Sequence, residues 1–415
     1  MTLTTLRSIS DLEGFDVSPV LGFVPLEGLI ECLPASHVAV EDLVRRPELP
    51  EAMRSFVLRE KVAAFPSNLD YTTLTTVQLR RAMVILSFVA HAYIWGNEMA
   101  TPLDELPGQL AVPLVQIGDL LGIAPLGTYA TTVLWNCRLA VPQVGWTKEN
   151  VIIDFTFTGT EDEELFYNIS ARIEVEGGRV LTDLLSIALA VKSLPLEGAG
   201  EALASIATHF DSMREALKKM TEILSETSKM DTQFFYWHMR PYFAGWELCS
   251  KGVHYKGVDA ADVFRRYPGI SAAQSSLFQA LDILFGIEHH SAYLTGVRVH
   301  MPHSHSRFLE VLKKTVDDSN LQTFVRDHDD LSHRYNACLD LLKGFRLLHM
   351  SRAKKFAVDE ASRPDKVPFG LAKTKDTGGG AQGAGGTQLV PFLSGLAKDT
   401  ADAKIPRTGL DVVSY

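Results

Sequence analysis

Cysteine is scarce: Cys32, Cys137, Cys249 and Cys338 are the only four in 415 residues, and no two form a C-x-x-C pair. That excludes a disulfide-stapled scaffold and a zinc knuckle, and it suits reduced thiols. Positive charge is also in deficit, with 40 Lys plus Arg against 50 Asp plus Glu and a net charge of -10. Basic residues come as scattered pairs such as Arg45-Arg46, Arg80-Arg81 and Lys354-Lys355. A phosphate backbone needs a concentrated basic face, so no nucleic-acid partner is expected. No apolar run reaches the roughly 20 residues that span a bilayer. The longest, Val84 to Trp95, contains His91 and reads as a buried helix. The first eleven residues have neither the apolar core of a signal peptide nor the arginines of a transit peptide. These absences together predict a cytoplasmic protein without membrane association. There is no G-x-x-x-x-G-K-[ST] and no repeat at a fixed period.

What is present is the composition of a globular protein, 46% hydrophobic and 22% charged, long enough for two or three packed units. From Pro50 to Trp95 the apolar residues recur at three and four, and a further periodic run follows Pro107 and Pro113 to Leu121, so the first third is mainly helical. After the break at Pro125-Leu126-Gly127, Thr128 to Leu139 is long enough for a helix. Val151 to Gly159 has the β-branched and aromatic content of a strand, the only good one in the chain. The acidic stretch after it marks a boundary near residue 158, giving a small unit, 1–158, and a large one, 159–415. In the large unit Leu165–Leu194, Gly198–Met230, Asp231–Ser250, Ala272–Leu294, Ser304–Thr315 and Asn320–Phe356 read as helices. The expected fold is all-α, two helical domains with a minor β element. Six glycines fall between Gly378 and Gly386, either as a floppy connection or as a lid over a site, since helical periodicity resumes at Leu389.

Two histidine groups invite a metal reading. His300, His303 and His305 fall within six positions, but Pro302 interrupts them and no carboxylate stands among them. In Glu288-His289-His290 the adjacent imidazoles point about 100° apart on a helix and cannot easily share an ion. His349 is better placed, on a long apolar-faced helix with Arg346 three residues before it. Such a histidine is usually a hydrogen-bonded core residue, yet the arrangement also suits an axial haem ligand with an arginine for a propionate.

Phe345-Arg346-Leu347-Leu348-His349, followed by Gly383-Ala384-Gly385-Gly386-Thr387-Gln388-Leu389-Val390-Pro391-Phe392-Leu393, resembles the C-terminal signature of the indoleamine 2,3-dioxygenases. Ala92 to Gly96, Leu106 to Pro113, Gln274 to Gln279 and Met301 to Leu309 also resemble that family, in its order, from about residue 20 to 395. The resemblance implies haem b, held mainly by the larger C-terminal domain, and dioxygen insertion across the indole C2=C3 bond of L-tryptophan to give N-formyl-L-kynurenine. It implies His349 as the proximal iron ligand, Arg346 as a propionate partner, Asp282 as the carboxylate behind the ligand, and Ser271 and Ala272 against the haem. It demotes His300, His303 and His305 to supports for the next helix.

For substrate, the resemblance implies Arg240 on the carboxylate, with Phe235 and Tyr236 as the aromatic pair. Phe166, Tyr167 and Ser170 line the oxygen side, Ser170 as an orienting hydroxyl that need not be a base. Tyr129, Thr132 and Val133 form the other wall, and the loop 377–387 brings Ala384 to the substrate's amino end. Tyr167 and Tyr236 stand where the family's best-known members carry phenylalanine, Thr132 replaces a cysteine, and Ala384 replaces the threonine of the glycine loop. The partners implied are L-tryptophan, dioxygen and an electron donor that keeps the iron ferrous, for a monomer. The alternatives are a slow or divergent member acting on another indole, and a non-catalytic haem or oxygen sensor, which would have no need of Arg240.

Overall fold

A computed structural model describes residues 4–26, 32–45, 47–66, 69–96, 102–193, 199–289, 291–361, 383 and 387–406. The described chain is mostly helical, as expected. Three short helices, α1 (Val38–Val44), α2 (Glu48–Arg54) and α3 (Leu58–Ala63), precede α4 (Thr76–Trp95). Thr75 starts α4 with a reciprocal cap: its hydroxyl accepts from the Gln78 amide, and the Gln78 side chain accepts from the Thr75 amide at 2.9 Å. From Leu79 to Trp95 all but Tyr93 are buried, so α4 is a central rod rather than a surface helix. It fixes a distant loop. The His91 Nδ1 donates to the Tyr242 carbonyl at 2.8 Å, and its Nε2 accepts from the Gly127 amide at 3.0 Å. Burial pushes this imidazole down to about 4, so it is neutral, as that donor–acceptor pair requires. Trp95 donates to the Ala244 carbonyl at 3.0 Å.

Next comes α5 (Gly108–Leu121), which starts before Pro113 and carries it inside. The segment expected to be a helix over 128–139 is not one. A π-helical turn, Ala130–Leu134, gives way to a strand, because the Thr131 and Thr132 hydroxyls bond back to the Thr128 carbonyl and Asn136 bonds across to Phe155. The strand expected over 151–159 is shorter than its pattern suggested. After β1 (Glu105–Leu106), β2 (Cys137–Leu139) pairs antiparallel with β3 (Val151–Ile153), and β1 pairs parallel with β4 (His254–Tyr255). Each sheet has two strands.

The long helix α6 (Glu161–Ser193) begins where the Glu163 carboxylate accepts from the Phe157 and Thr158 amides at 2.9 and 2.7 Å. It packs along α7 (Ala199–Ser225). The helix expected over 231–250 is broken into α8 (Thr232–Phe234), a π-helical turn (Phe235–Met239) and short 3-10 turns at Arg240–Phe243 and Trp246–Leu248, where Pro241 and Gly245 interrupt the ladder. The helix expected over 272–294 also divides, at Gly286, into α9 (Ser276–Leu284) and α10 (Ala292–Gly296). α11 (His303–Ser319), α12 (Leu321–Arg326), α13 (Asp329–Ala353) and α14 (Leu389–Asp402) complete the fold. α13 lies between α7 and α14, with Leu331, Tyr335, Cys338, Leu342 and Phe345 buried on one stripe. Of the glycine-rich loop, only Gly383 and Thr387 are described; Ala384 and the other glycines between 378 and 386 lie outside the described residues. Among the described residues no helix is long and apolar enough to cross a membrane.

One close approach sets how α6 packs. The N-terminal turn Ser18–Gly22 rests on Gly178, and a Cβ on Gly178 would stand 2.5 Å from the Gly22 nitrogen and 2.7 Å from its Cα. Backbone cannot swing aside as a side chain can, so Gly178→Ala should destabilise the protein by about 1–3 kcal/mol. Gly344, in mid-α13 with nothing within 4 Å of its missing Cβ, should instead gain up to about 1 kcal/mol as alanine. Thermal unfolding of the two variants should move in opposite directions.

Candidate active site

One stripe of α13 runs out of the core and becomes a cavity wall. Phe345, Arg346, His349 and Arg352 line a cavity of about 310 Å³, and Leu389, Phe392, Leu393 and Leu396 of α14 close one side of it. Opposite them come Phe166, Tyr167 and Ser170 of α6, Tyr129, Thr132 and Val133 of the π-helical turn, and Phe235 and Arg240. Ser271, Ala272 and Asp282 complete the set, so residues spread from 129 to 396 meet at one place. Of the expected site residues that are described, only Tyr236 does not line the cavity.

Tyr236 sits behind Arg240 instead. The π-helical register turns its ring inward, where the Arg240 guanidinium lies 5.1 Å from the ring centre and hydrogen-bonds its hydroxyl. Arg240 is buried, and burial pulls its pKa down to about 10 against the opposing pull of Tyr236, so it stays cationic at neutral pH. Beside it the rings of Phe235, Phe166 and Phe243 stand 5.4–6.3 Å apart, with Phe356 5.2 Å from Phe235.

The polar groups of this wall are already engaged within the protein. The Tyr167 hydroxyl donates to Glu163 at 3.0 Å, the Thr132 hydroxyl to the Thr128 carbonyl at 3.0 Å, and the Ser170 hydroxyl to the Phe166 carbonyl at 3.0 Å. Ser170 therefore offers the cavity only lone pairs. Tyr129 hydrogen-bonds Glu174, a buried carboxyl that also accepts from Ser275 at 2.6 Å. Burial raises Glu174 to about 7, and these two donors only partly offset it. Ser271 begins a short capped turn whose Gln274 side chain accepts from the Tyr129 amide at 2.9 Å, tying the small residues 271–273 to the opposite wall.

Among the described residues His349 is the one histidine that lines this cavity. Burial holds its pKa below 6.5, and neither ring nitrogen has a hydrogen-bond partner among the described residues. A neutral imidazole facing a cavity has a lone pair to give to a metal. Among the described residues no three His, Cys, Asp or Glu side chains converge on an ion, so one imidazole suits a metal that brings its other ligands with it. Apolar walls, the small residues 271–273 and a buried arginine fit haem in the same way. Arg346 bonds Asp282, the Thr400 hydroxyl and the Leu396 carbonyl, and the second oxygen of Asp282 accepts from His289 Nε2 at 2.9 Å.

The histidine-rich loop lies away from this cavity, although both ring nitrogens of His300 are also buried without a partner among the described residues. His305 is buried against Phe23, 3.7 Å from Asp16; His300 is buried edge-on to Tyr267; and His303 opens α11 at the surface. Sequence reasoning did not single out Glu174, Arg352 or the bridging role of His289. Glu174 and Arg352 share helix faces with Ser170 and His349, one turn away, which is the signal that could have found them.

The indoleamine 2,3-dioxygenase family model matches residues 11–403. An indoleamine 2,3-dioxygenase of Aspergillus nanangensis is 32% identical, covering 95% of this chain and 97% of its own length. One of Saccharomyces cerevisiae is 30% identical, covering 96% and 94%. A 6-hydroxytryptophan 2,3-dioxygenase of Fusarium equiseti is 26% identical, covering 95% and 98%. With a cavity that presents an imidazole and the buried cation Arg240 beside aromatic walls, the chain belongs to the indoleamine 2,3-dioxygenase family, the haem-dependent dioxygenases of tryptophan catabolism.

Proposed function

We propose that this protein inserts both atoms of dioxygen across the C2=C3 bond of L-tryptophan, giving N-formyl-L-kynurenine, with haem b held by His349. The observation that carries the reading is that a buried cation, Arg240, and a neutral imidazole without a hydrogen-bond partner among the described residues, His349, line one aromatic cavity. Bound, haem supplies the iron at which dioxygen is activated. His349 would ligate it, Arg346 would face a propionate, Asp282 would hold Arg346, and Ser271 with Ala272 would lie against the ring. All five lie beyond residue 159, which supports assigning the cofactor to the larger of two units divided near residue 158. An external reductant keeps the iron ferrous, and the protein works as a cytoplasmic monomer.

The chain's own contribution is orientation. Arg240 binds the substrate carboxylate as a charge-assisted pair, and Tyr236 holds the guanidinium in place for it. Phe235, Phe166 and Tyr167 offer ring faces to the flat indole, and Tyr129, Thr132 and Val133 close the other wall. Ser170, its proton given to a backbone carbonyl, serves as an acceptor for an N–H or a water and not as a base. Excluding water from so apolar a site protects the reaction from side products.

The Fusarium relative, named for a hydroxylated tryptophan, favours one second reading, a different indole amino acid as the preferred substrate. Reconstitution with haem, anaerobic reduction and addition of L-tryptophan, D-tryptophan, tryptamine or 6-hydroxytryptophan with air separates the two, read at the formylkynurenine band. Fastest turnover of L-tryptophan supports the proposal, whereas a preference for another indole replaces it.

His349→Ala should abolish the histidine-ligated Soret spectrum, and an unchanged spectrum would remove His349 from the iron. Arg240→Ala should raise the Michaelis constant for L-tryptophan roughly ten- to a hundredfold, the value of a charged hydrogen bond. It should leave the Soret band intact and tryptamine, which has no carboxylate, nearly unaffected. Tyr236→Phe should move the same constant in the same direction by only a few-fold, about 1 kcal/mol or less.

A further inference from the structure

We propose that His289 is a positioning residue of this cavity, an imidazolium bridge between Asp282 and Asp399 that fixes the last helix and the Asp282–Arg346 pair against the cofactor site. The cofactor part rests on the haem reading above; the bridge itself does not.

The geometry determines the protonation state. His289 Nε2 lies 2.9 Å from Asp282 Oδ2, and Nδ1 lies 2.7 Å from Asp399 Oδ2. A carboxylate only accepts, so a ring with one on each nitrogen must donate from both. Arg346 holds the other oxygen of Asp282. The side chain of His289 is 8% exposed, leaving water little access to replace either partner. The charged groups that face it are Asp282 from α9, Asp399 from α14 and Arg346 from α13. Two carboxylates against an imidazolium and a guanidinium make a neutral quartet. Loss of the imidazolium proton leaves one carboxylate without its donor and the buried cluster with a surplus negative charge.

The last helix is where this matters. α14 forms one side of the cavity with Leu389, Phe392, Leu393 and Leu396, and its far end is held by Asp399 on His289 and by the Thr400 hydroxyl on Arg346. Burial by itself would lower the His289 pKa, but the hydrogen bond and charge of Asp282 and the bond to Asp399 outweigh both burial and the opposing charge of Arg346, and raise it above 6.5. A raised folded value means that the stabilisation is complete below 6.5 and disappears as pH climbs through the folded value. The bridge therefore holds at pH values below the folded value, wherever above 6.5 that lies, and releases as pH climbs through it.

The test follows haem transfer from the loaded protein to excess apomyoglobin between pH 6 and 9, for wild type, His289→Gln and Asp399→Asn, with thermal unfolding of each haem-free protein at the same pH values. Wild type should lose haem about tenfold faster as pH rises through a midpoint above 6.5. His289→Gln should lose it quickly at every pH, and Asp399→Asn should lower the midpoint. A wild-type-shaped profile in His289→Gln, or an unmoved midpoint in Asp399→Asn, overturns the proposal. If the chain takes up no haem, the reading of the cavity fails and the unfolding curves decide the bridge alone. A wild-type midpoint that falls with rising pH where His289→Gln stays flat supports it, and parallel curves overturn it.

Discussion

The two oxygens of Asp282 go to different partners, one to Arg346 and one to His289, and three helices converge on that carboxylate. Arg346 continues to α14 through Thr400 and Leu396, and His289 reaches α14 through Asp399. α9, α13 and α14 are thus joined by a charged cluster within otherwise apolar packing. Buried ion pairs contribute little net stability compared with hydrophobic replacements, but breaking one partner leaves an uncompensated charge, so such a cluster penalises every other arrangement of its helices. That is useful where a cavity is needed. Apolar side chains alone would collapse into the space between α13 and α14, whereas a cluster that is satisfied in only one geometry holds the two apart at a set distance.

The opposite wall achieves the same end by concealing its polarity. Tyr129, Thr132, Tyr167 and Ser170 all carry hydroxyls and all line the cavity, yet each is engaged with a carboxyl or carbonyl of the protein. What remains for a ligand is ring faces and methyl groups, with Arg240 as the buried positive charge beside them. This also accounts for a departure from the family pattern. Tyr167 in place of phenylalanine adds no polar group to the wall, because Glu163 takes its hydroxyl, and Glu163 is there in any case to start α6.

The helical fold was legible because its signal is periodicity, which survives in a single sequence. α4, α6, α7, α11 and α13 all fall where apolar residues recur at three and four. The failures have local causes. Thr128–Leu139 has the length of a helix, but two threonines that bond back to Thr128 and an asparagine that bonds to Phe155 end it early. The 231–250 run is apolar enough for a helix, yet Pro241 and Gly245 divide it, and the resulting turns are what bring Phe235 and Arg240 to the cavity. Tyr236 was misplaced for the same reason: a π-helical turn shifts side-chain directions, and nothing in the composition of Phe-Tyr-Trp-His-Met announces it. The cavity residues themselves were legible mainly through ordered family resemblance, since Tyr129, Ser170, Arg240, Asp282 and His349 are far apart in sequence and individually ordinary. The His289 bridge was not legible at all, because one of its partners lies 110 residues away.

Tyr236 illustrates how a residue can bear on specificity without touching the cavity. Its ring lies beneath a guanidinium that burial would otherwise destabilise, and its hydroxyl shares that cation's hydrogen bonds. An arginine in water samples many rotamers and loses that freedom on binding a carboxylate, whereas one stacked and bonded beforehand has already lost it. In the proposed function, the Tyr236 hydroxyl would therefore act on the ligand through Arg240, by fixing where a carboxylate can be received and leaving the indole to settle against the phenylalanines around it.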